Sequence, residues 1–391
     1  MTSASTGLHD RRPRLAYLDG IRALAALFVV VHHCYFTIYP PNTPAGSAAP
    51  GFLRPISWGH LAVAAFLVVS GYSLTLGTLR HGERLPRGTR QFVVRRFWRI
   101  VPTYWAALAL SILAGLTWLH QTNTGTVWDW AVPVTGNDAL VHALLLHDFF
   151  HPSTINYVLW SIALEWHVYF LFPLVLWLCR RYGAVVMATL TLVVGGGIGI
   201  AFRHNADQGL LAQAHLLGCF GLGVAACLIG NRGGSLSAKR RVVLPWVWVA
   251  VGAAVLTVGA SLKVHSPRVP DLLFGLTVAT LLIAIADGRA AAAARALSVR
   301  PLVAVGLFSY SLYLLHPLAV QTVWFYGVRH LNLSAPASFA VLVVPTVLLA
   351  VFAAWALFQL VEKHFLTASK PVVPEEREVV EVDESAASAP R

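Results

Sequence analysis

Ten apolar stretches, each near the length a helix needs to cross a bilayer, constrain every other reading of this chain. A membrane span takes ~20 predominantly apolar residues. Residues 16–38, 58–79, 100–119, 157–178, 184–202, 208–230, 243–262, 269–286, 302–327 and 334–360 meet or approach that length. Hydrocarbon offers the backbone no water, so each segment has to satisfy its own N–H and C=O groups, which an α-helix does. Only 12% of the 391 residues are charged, about half the share of an ordinary soluble domain. The predicted fold class is an all-α polytopic membrane protein with ten transmembrane helices. Residues 139–146 are too short to cross and read as a re-entrant or interfacial piece.

The loop charges give an independent orientation. With a cytoplasmic N-terminus and every segment crossing, the outer loops receive only Arg54, Arg203, Lys263, Arg268 and Arg329. Twenty-three basic residues fall on the cytoplasmic side, and Arg22 lies within the first span. Such a split follows the positive-inside rule and places both termini in the cytoplasm. The net charge of +12 is then topological bias, which also suits anionic lipid head groups; it does not call for nucleic acid. Arg11–Arg12 is not expected to act as a twin-arginine export signal, because Asp19 and Arg22 interrupt the apolar core behind it. Residues 1–14 and the acidic run 367–391 are expected to be disordered, leaving one membrane domain over 15–366. Cys34, Cys179, Cys219 and Cys227 are scattered through apolar spans and suggest neither a disulfide framework nor a metal cluster.

Charged groups at bilayer depth are costly, so they are the first candidates for function. Arg22 and His33 are eleven residues apart in the first span. At ~100° per residue they share one helix face, about 16 Å apart along the axis. Asp19 lies a turn below Arg22 and is placed to pair with it. A snorkelling Arg with a merely packed His is the bland alternative. His33 lies about 22 Å up from the cytoplasmic end of its span, and His316 about 22 Å up the ninth segment. Glu165 lies about 12 Å below the outer end of the fourth, so all three are expected at a similar level. At the opposite face, Arg96 and Arg99 are three apart and project from one side of a helix. Two forked guanidiniums make a receptor for phosphate oxygens. His147 and His151, four apart beside Asp148, have a spacing that can ligate metal. With no third ligand in view, no metal is expected, and residues 121–156, with Trp128 and Trp130, read as an outer lid.

Several runs resemble the acyltransferase 3 family of integral-membrane O-acyltransferases. Leu18-Asp19-Gly20-Ile21-Arg22-Ala23-Leu24-Ala25 followed by His33 is similar to the family's opening, where an Arg and a His are separated by ten residues. Phe66-Leu67-Val68-Val69-Ser70-Gly71-Tyr72 resembles its second-span motif, and Arg96-Phe97-Trp98-Arg99 its Arg-x-x-Arg. Trp160-Ser161-Ile162-Ala163-Leu164-Glu165 resembles its Trp-Ser-x-x-x-Glu. Ser309-Tyr310-Ser311-Leu312-Tyr313-Leu314-Leu315-His316-Pro317 is similar to its late Ser-Tyr-x-x-Tyr-Leu-x-His element. The resemblance covers about residues 15–365, with the motifs in the family's order. One departure is Glu165-Trp166-His167-Val168-Tyr169, where the family often places a second acid or Gln. The outer esterase-like domain of some members is not expected here.

The resemblance implies transfer of an acyl group, acetyl or another short acyl, from cytoplasmic acyl-coenzyme A to a hydroxyl of a carbohydrate-containing acceptor. A surface polysaccharide and a glycosylated metabolite such as a macrolide are both compatible acceptors. High Ala, Val and Arg with scarce Lys suggest a GC-rich bacterial genome, so a multi-pass protein of the bacterial plasma membrane is expected. On this reading Arg96, Arg99, Ser70 and Tyr72 serve the donor, and His33 is the general base, with Arg22, Glu165 and Asp19 supporting it. His316, Tyr313 and Trp160 face the acceptor. An acyl-histidine intermediate is the mechanistic alternative. The rival from another class is a proton-coupled transporter or flippase, since buried Arg, His and Glu also build proton relays.

Overall fold

The computed structural model describes residues 16–119, 134–150, 155–202, 211–231, 246–263 and 266–368. The tails expected to be disordered lie almost wholly outside that range, as do Trp128, Trp130 and His151. Among the described residues the regular structure is helical throughout, without strands. The helices are α1 (Ala16–Ile38), α2 (Pro44–Ser47), α3 (His60–Leu76), α4 (Gly88–Leu116), α5 (Gly136–Ala143), α6 (His147–Phe150), α7 (Leu159–Tyr182) and α8 (Ala184–Ala201). They continue with α9 (Leu216–Asn231), α10 (Trp246–Lys263), α11 (Arg268–Ala286), α12 (Ala291–Leu297), α13 (Arg300–Leu307), α14 (Ser309–Tyr326), α15 (Ala335–Leu357) and α16 (Lys363–Ala368).

Among the described residues eight helices are long and apolar enough to cross a membrane, so the chain is a polytopic membrane protein. Two of the ten apolar stretches behave differently from a simple span. The stretch 302–327 is broken: α13 and α14 meet at an angle of 79°. The break falls at Phe308, whose φ of −116° and ψ of 21° leave the helical region. The stretch 208–230 yields only the 16-residue α9 among its described residues. The short apolar piece at 139–146 becomes α5 and the turn before α6. Its start is fixed by a capping box: Thr135 Oγ1 accepts from the Asp138 amide at 3.1 Å, and Asp138 Oδ2 accepts from the Thr135 amide at 3.0 Å.

Helices in lipid gain little from the hydrophobic effect between them and associate by close packing instead. Two glycines show how α3 and α9 do so. A Cβ on Gly71 would collide with the Phe220 carbonyl, and one on Gly223 with the Val68 carbonyl. The two backbones therefore meet directly, with Ser70 and Tyr72 thrown to either side of the contact. All four cysteines are buried, and none forms a disulfide.

Candidate active site

A cavity of about 190 Å³ opens between α1, α3, α4, α7 and α14. Its wall carries Arg22, Ser70, Ser73, Arg96, Arg99, Ser161, Glu165, Tyr169, Tyr310 and Tyr313. Three guanidiniums enter it, and they differ in their partners. Arg22 donates through Nη1 to Asp19 Oδ1 at 2.9 Å and through Nη2 to Ser73 Oγ at 2.7 Å. Arg99 donates through Nη1 to Glu362 Oε1 at 2.9 Å. Arg96 forms no salt bridge among the described residues; its Nε is buried without a hydrogen-bond partner, and its guanidinium lies 5.9 Å from the Phe92 ring centre. Glu165 accepts from Ser70 Oγ at 2.6 Å and from the Tyr169 hydroxyl, so α3 and α7 hold its carboxylate from two directions.

One end of the cavity is closed by aromatic rings and hydroxyls. Ser161 Oγ donates to the Val158 carbonyl at 3.0 Å, which leaves the Tyr313 hydroxyl to donate to Ser161 Oγ at 2.6 Å. The Tyr313 ring meets Phe66 edge-on, with centres 5.7 Å apart. On the far side of Tyr313, also 5.7 Å away, stands the ring of His316. His316 Nε2 lies 3.0 Å from His33 Nδ1, and the Val29 carbonyl lies 3.0 Å from the same nitrogen. A carbonyl can only accept, so the proton sits on His33 Nδ1 and the lone pair on Nε2. That tautomer is the one a general base needs. Tyr157 and His32 flank the imidazole, with ring centres at 4.8 and 4.9 Å.

The structure therefore brings His33 and His316 together, and Arg22, Ser70, Arg96, Arg99, Glu165 and Tyr313 together, as two adjoining groups. Glu165 belongs to the arginine group and not with the histidines, contrary to the depth argument, because rise along a helix fixes position only along that helix's own axis. Tyr72 does not line the cavity: it is buried, shares a hydrogen bond with Tyr17 at 3.4 Å and accepts from Asn231 Nδ2 at 3.2 Å. Trp160 is half-buried against the main core and also lies outside the lining.

Two clusters went unnoticed in the sequence. Glu362 is 1% exposed and accepts from both Arg99 and Ser311; the signal was a lone acid at the end of an otherwise apolar span. Asp271 accepts from His60 Nδ1 at 2.6 Å and from His215 Nε2 at 2.9 Å, which ties α11 to the start of α3 and the turn before α9. Its signal was an acid in the first turn of a span.

Between α4 and α7, His147 stacks on His142 with ring centres 4.4 Å apart, and its Nε2 is 4.0 Å from Asp148 Oδ1. Among the described residues no group of three His, Cys, Asp or Glu is placed to hold a metal ion. Burial pushes the Asp148 carboxyl up to about 7 and the His147 imidazole down to about 3. Asp148 binds its proton more tightly folded than unfolded, so its contribution to stability is full below about 4 and is lost as pH rises towards 7. Asp148→Asn removes that loss. The thermal midpoint of the variant in detergent, relative to wild type, is expected to climb between pH 4 and 7 and then level off. A difference that stays constant across that window contradicts the assignment. His147 acts in the opposite sense over pH 3 to 6.5 but is common to both proteins, so it drops out.

A family model described as an acyltransferase domain matches residues 15–355. The peptidoglycan O-acetyltransferase OatA of Listeria monocytogenes is 26% identical over 187 residues, which cover 46% of this chain and 27% of that protein. The O-acetyltransferase OatA of Staphylococcus aureus is 24% identical over 316 residues, covering 76% of this chain and 49% of that protein. The chain thus spans about half, or less, of the length of these relatives. No solved structure matches it.

Proposed function

We propose, from the premise that this chain belongs to the acyltransferase 3 family, that it transfers an acyl group from acyl-coenzyme A to a hydroxyl of a carbohydrate-containing acceptor. The observation that most supports this reading is the adjacency of two unlike groups. One is a cavity lined by guanidiniums, suited to an anionic handle. The other is a histidine pair just beyond Tyr313, with a lone pair on His33 Nε2 suited to deprotonating a hydroxyl. OatA relatives named as O-acetyltransferases make acetyl the first acyl group to test.

In the proposed reaction the donor's phosphates rest on Arg96 and Arg99, and its slender arm runs along α1 towards His33. Arg22 and His33 are about 16 Å apart along that helix, so the arm has to open the Phe66–Tyr313 contact to bring the thioester to the imidazole. His33 Nε2 takes the acceptor's proton as the oxygen attacks the thioester carbonyl; His316 and the Val29 carbonyl hold the ring and its tautomer. The new ester leaves on the acceptor, and the proton passes to the departing thiolate, so the step is balanced without a co-reactant. Arg22, fixed by Asp19 and Ser73, steadies negative charge in the passage, and Glu165 holds the cavity wall opposite Arg96.

The topology proposed with this is ten crossings with both termini cytoplasmic, in which the broken α13–α14 pair and α9 account for the two crossings beyond the eight long helices. The membrane is proposed to be a bacterial plasma membrane, and a single unit over 15–366 to carry the reaction. Purified protein given radiolabelled acetyl-coenzyme A and an extract of cell-surface glycans and glycosylated metabolites is expected to release free thiol and label an acceptor. No turnover with any acyl donor, together with movement of glycan across vesicle membranes, would establish the transporter reading instead.

A further inference from the structure

The last long helix ends in an irregular turn whose purpose is visible in its contacts. Residues Phe358–Glu362 form a π segment between α15 and α16. Such wide turns are rare and are frequent at functional positions. This one changes where Glu362 points. The buried stripe of α15 runs through Thr346, Ala350, Ala354 and Leu357. Five further residues of regular α-helix would carry Glu362 about 140° past Leu357, away from that stripe. The wider π turn returns it to the protein interior. There Glu362 Oε1 accepts from Arg99 Nη1 at 2.9 Å and Oε2 from Ser311 Oγ at 2.6 Å. Two neighbouring contacts clamp the same place: the Tyr310 hydroxyl donates to the Ile100 carbonyl at 3.0 Å, and Trp98 stacks on Phe365 at 5.6 Å.

The two arginines of the Arg-x-x-Arg run are therefore unequal. Arg99 has one arm committed to a buried carboxylate, whereas Arg96 has no carboxylate in salt-bridge contact among the described residues. We infer that Glu362 is the positioning residue of this pair: through the π turn it fixes the Arg99 guanidinium in the cavity wall, with its remaining N–H groups set for an anionic phosphate, while Arg96, in no salt bridge among the described residues, is the cation that the anion meets. The inference rests on the acyl-coenzyme A reading above and adds to it a residue from the far end of the chain. Glu362 acts through Arg99 and touches neither acyl group nor acceptor.

The test is a double-mutant cycle on acetyl-coenzyme A turnover in detergent, because residues that act through one another are non-additive. Glu362→Gln is expected to raise the donor KM about tenfold while kcat stays within about twofold. Ser311→Ala, which frees one carboxylate oxygen but keeps the ion pair, is expected to raise KM about two- to threefold. In an Arg99→Gln background, Glu362→Gln is expected to add no further rise. The Arg99→Gln single variant strands a buried carboxylate; if it does not fold, the Ser311→Ala and Glu362→Gln values decide alone. A wild-type protein that turns over while Glu362→Gln and Ser311→Ala change only yield, thermal midpoint or kcat, with KM unmoved, overturns the positioning role and leaves the activity standing. Multiplicative effects in the Arg99→Gln background overturn it as well. A wild-type protein that releases no thiol overturns both readings.

Discussion

His33→Ala is expected to reduce acyl transfer by at least about a thousandfold while leaving yield and thermal midpoint near wild type. A positioned general base contributes roughly 10² to 10⁴ in rate, and in the proposed reaction the same ring also occupies the place where acceptor and thioester meet. The fold should tolerate the change. His33 is only half-buried, and its partners are a nitrogen of His316 and a helix carbonyl that already belongs to the backbone ladder. The measurement is initial-rate thiol release with saturating donor, beside size-exclusion profiles of both proteins. His316→Ala separates orientation from base chemistry: with His33 intact but one side of its ring unsupported, the loss should be smaller, about tenfold to a hundredfold. Equal losses in both would assign the histidines a single shared role, and near-normal turnover in His33→Ala would remove the base from the mechanism.

Arg96→Ala is expected to raise the donor KM by about ten- to a hundredfold, with kcat changed far less. Hydrogen bonds to charged groups contribute about 1.5–3 kcal/mol each, and Arg96 has no salt bridge among the described residues to forfeit. Its loss should therefore fall on ligand binding and spare the fold. Arg99→Ala differs. It leaves the buried Glu362 carboxylate with Ser311 but without its ion pair, a change of the kind that costs about 3–5 kcal/mol in stability. The two substitutions look alike in the sequence and should separate cleanly when KM and thermal midpoint are plotted together. Arg96→Lys is a useful companion, because a point charge keeps the attraction but loses the fork. An intermediate KM is the expected result.

Much of this architecture follows from simple regularities in the chain. Apolar length gives the helices, and the spacing of Asp19 and Arg22 gives their 2.9 Å pair. Equal rises of about 22 Å, reckoned along two unbroken spans, set His33 and His316 on one level; the structure does place their nitrogens 3.0 Å apart, but the second span is bent by 79° at Phe308, so packing and not that rise brings them together. What stayed hidden has identifiable physical causes. Glu362 reaches Arg99 and Ser311 through five residues that adopt a wider turn, and no periodicity argument on a regular helix includes that rotation. The break at Phe308 lies within an unbroken apolar run, so hydropathy passes over it. Tyr72 follows Ser70 by two positions and so leaves the helix on a different face, towards Tyr17 and Asn231. The link of His60 and His215 to Asp271 joins three elements distant in the chain, which only tertiary packing reveals.

Vesicles with the protein in a single orientation address the central idea most directly: the anionic handle of the donor and the hydroxyl to be acylated approach one reaction from opposite ends of the α1 face. Acetyl-coenzyme A is supplied only on the side bearing Arg96 and Arg99, the glycan acceptor only on the other, and both compartments are assayed. The account predicts free coenzyme A thiol on the donor side and acetylated acceptor on the far side in equal amounts, with neither formed by His33→Ala. Thiol release that proceeds only when donor and acceptor share one compartment, or that persists undiminished without His33, contradicts it.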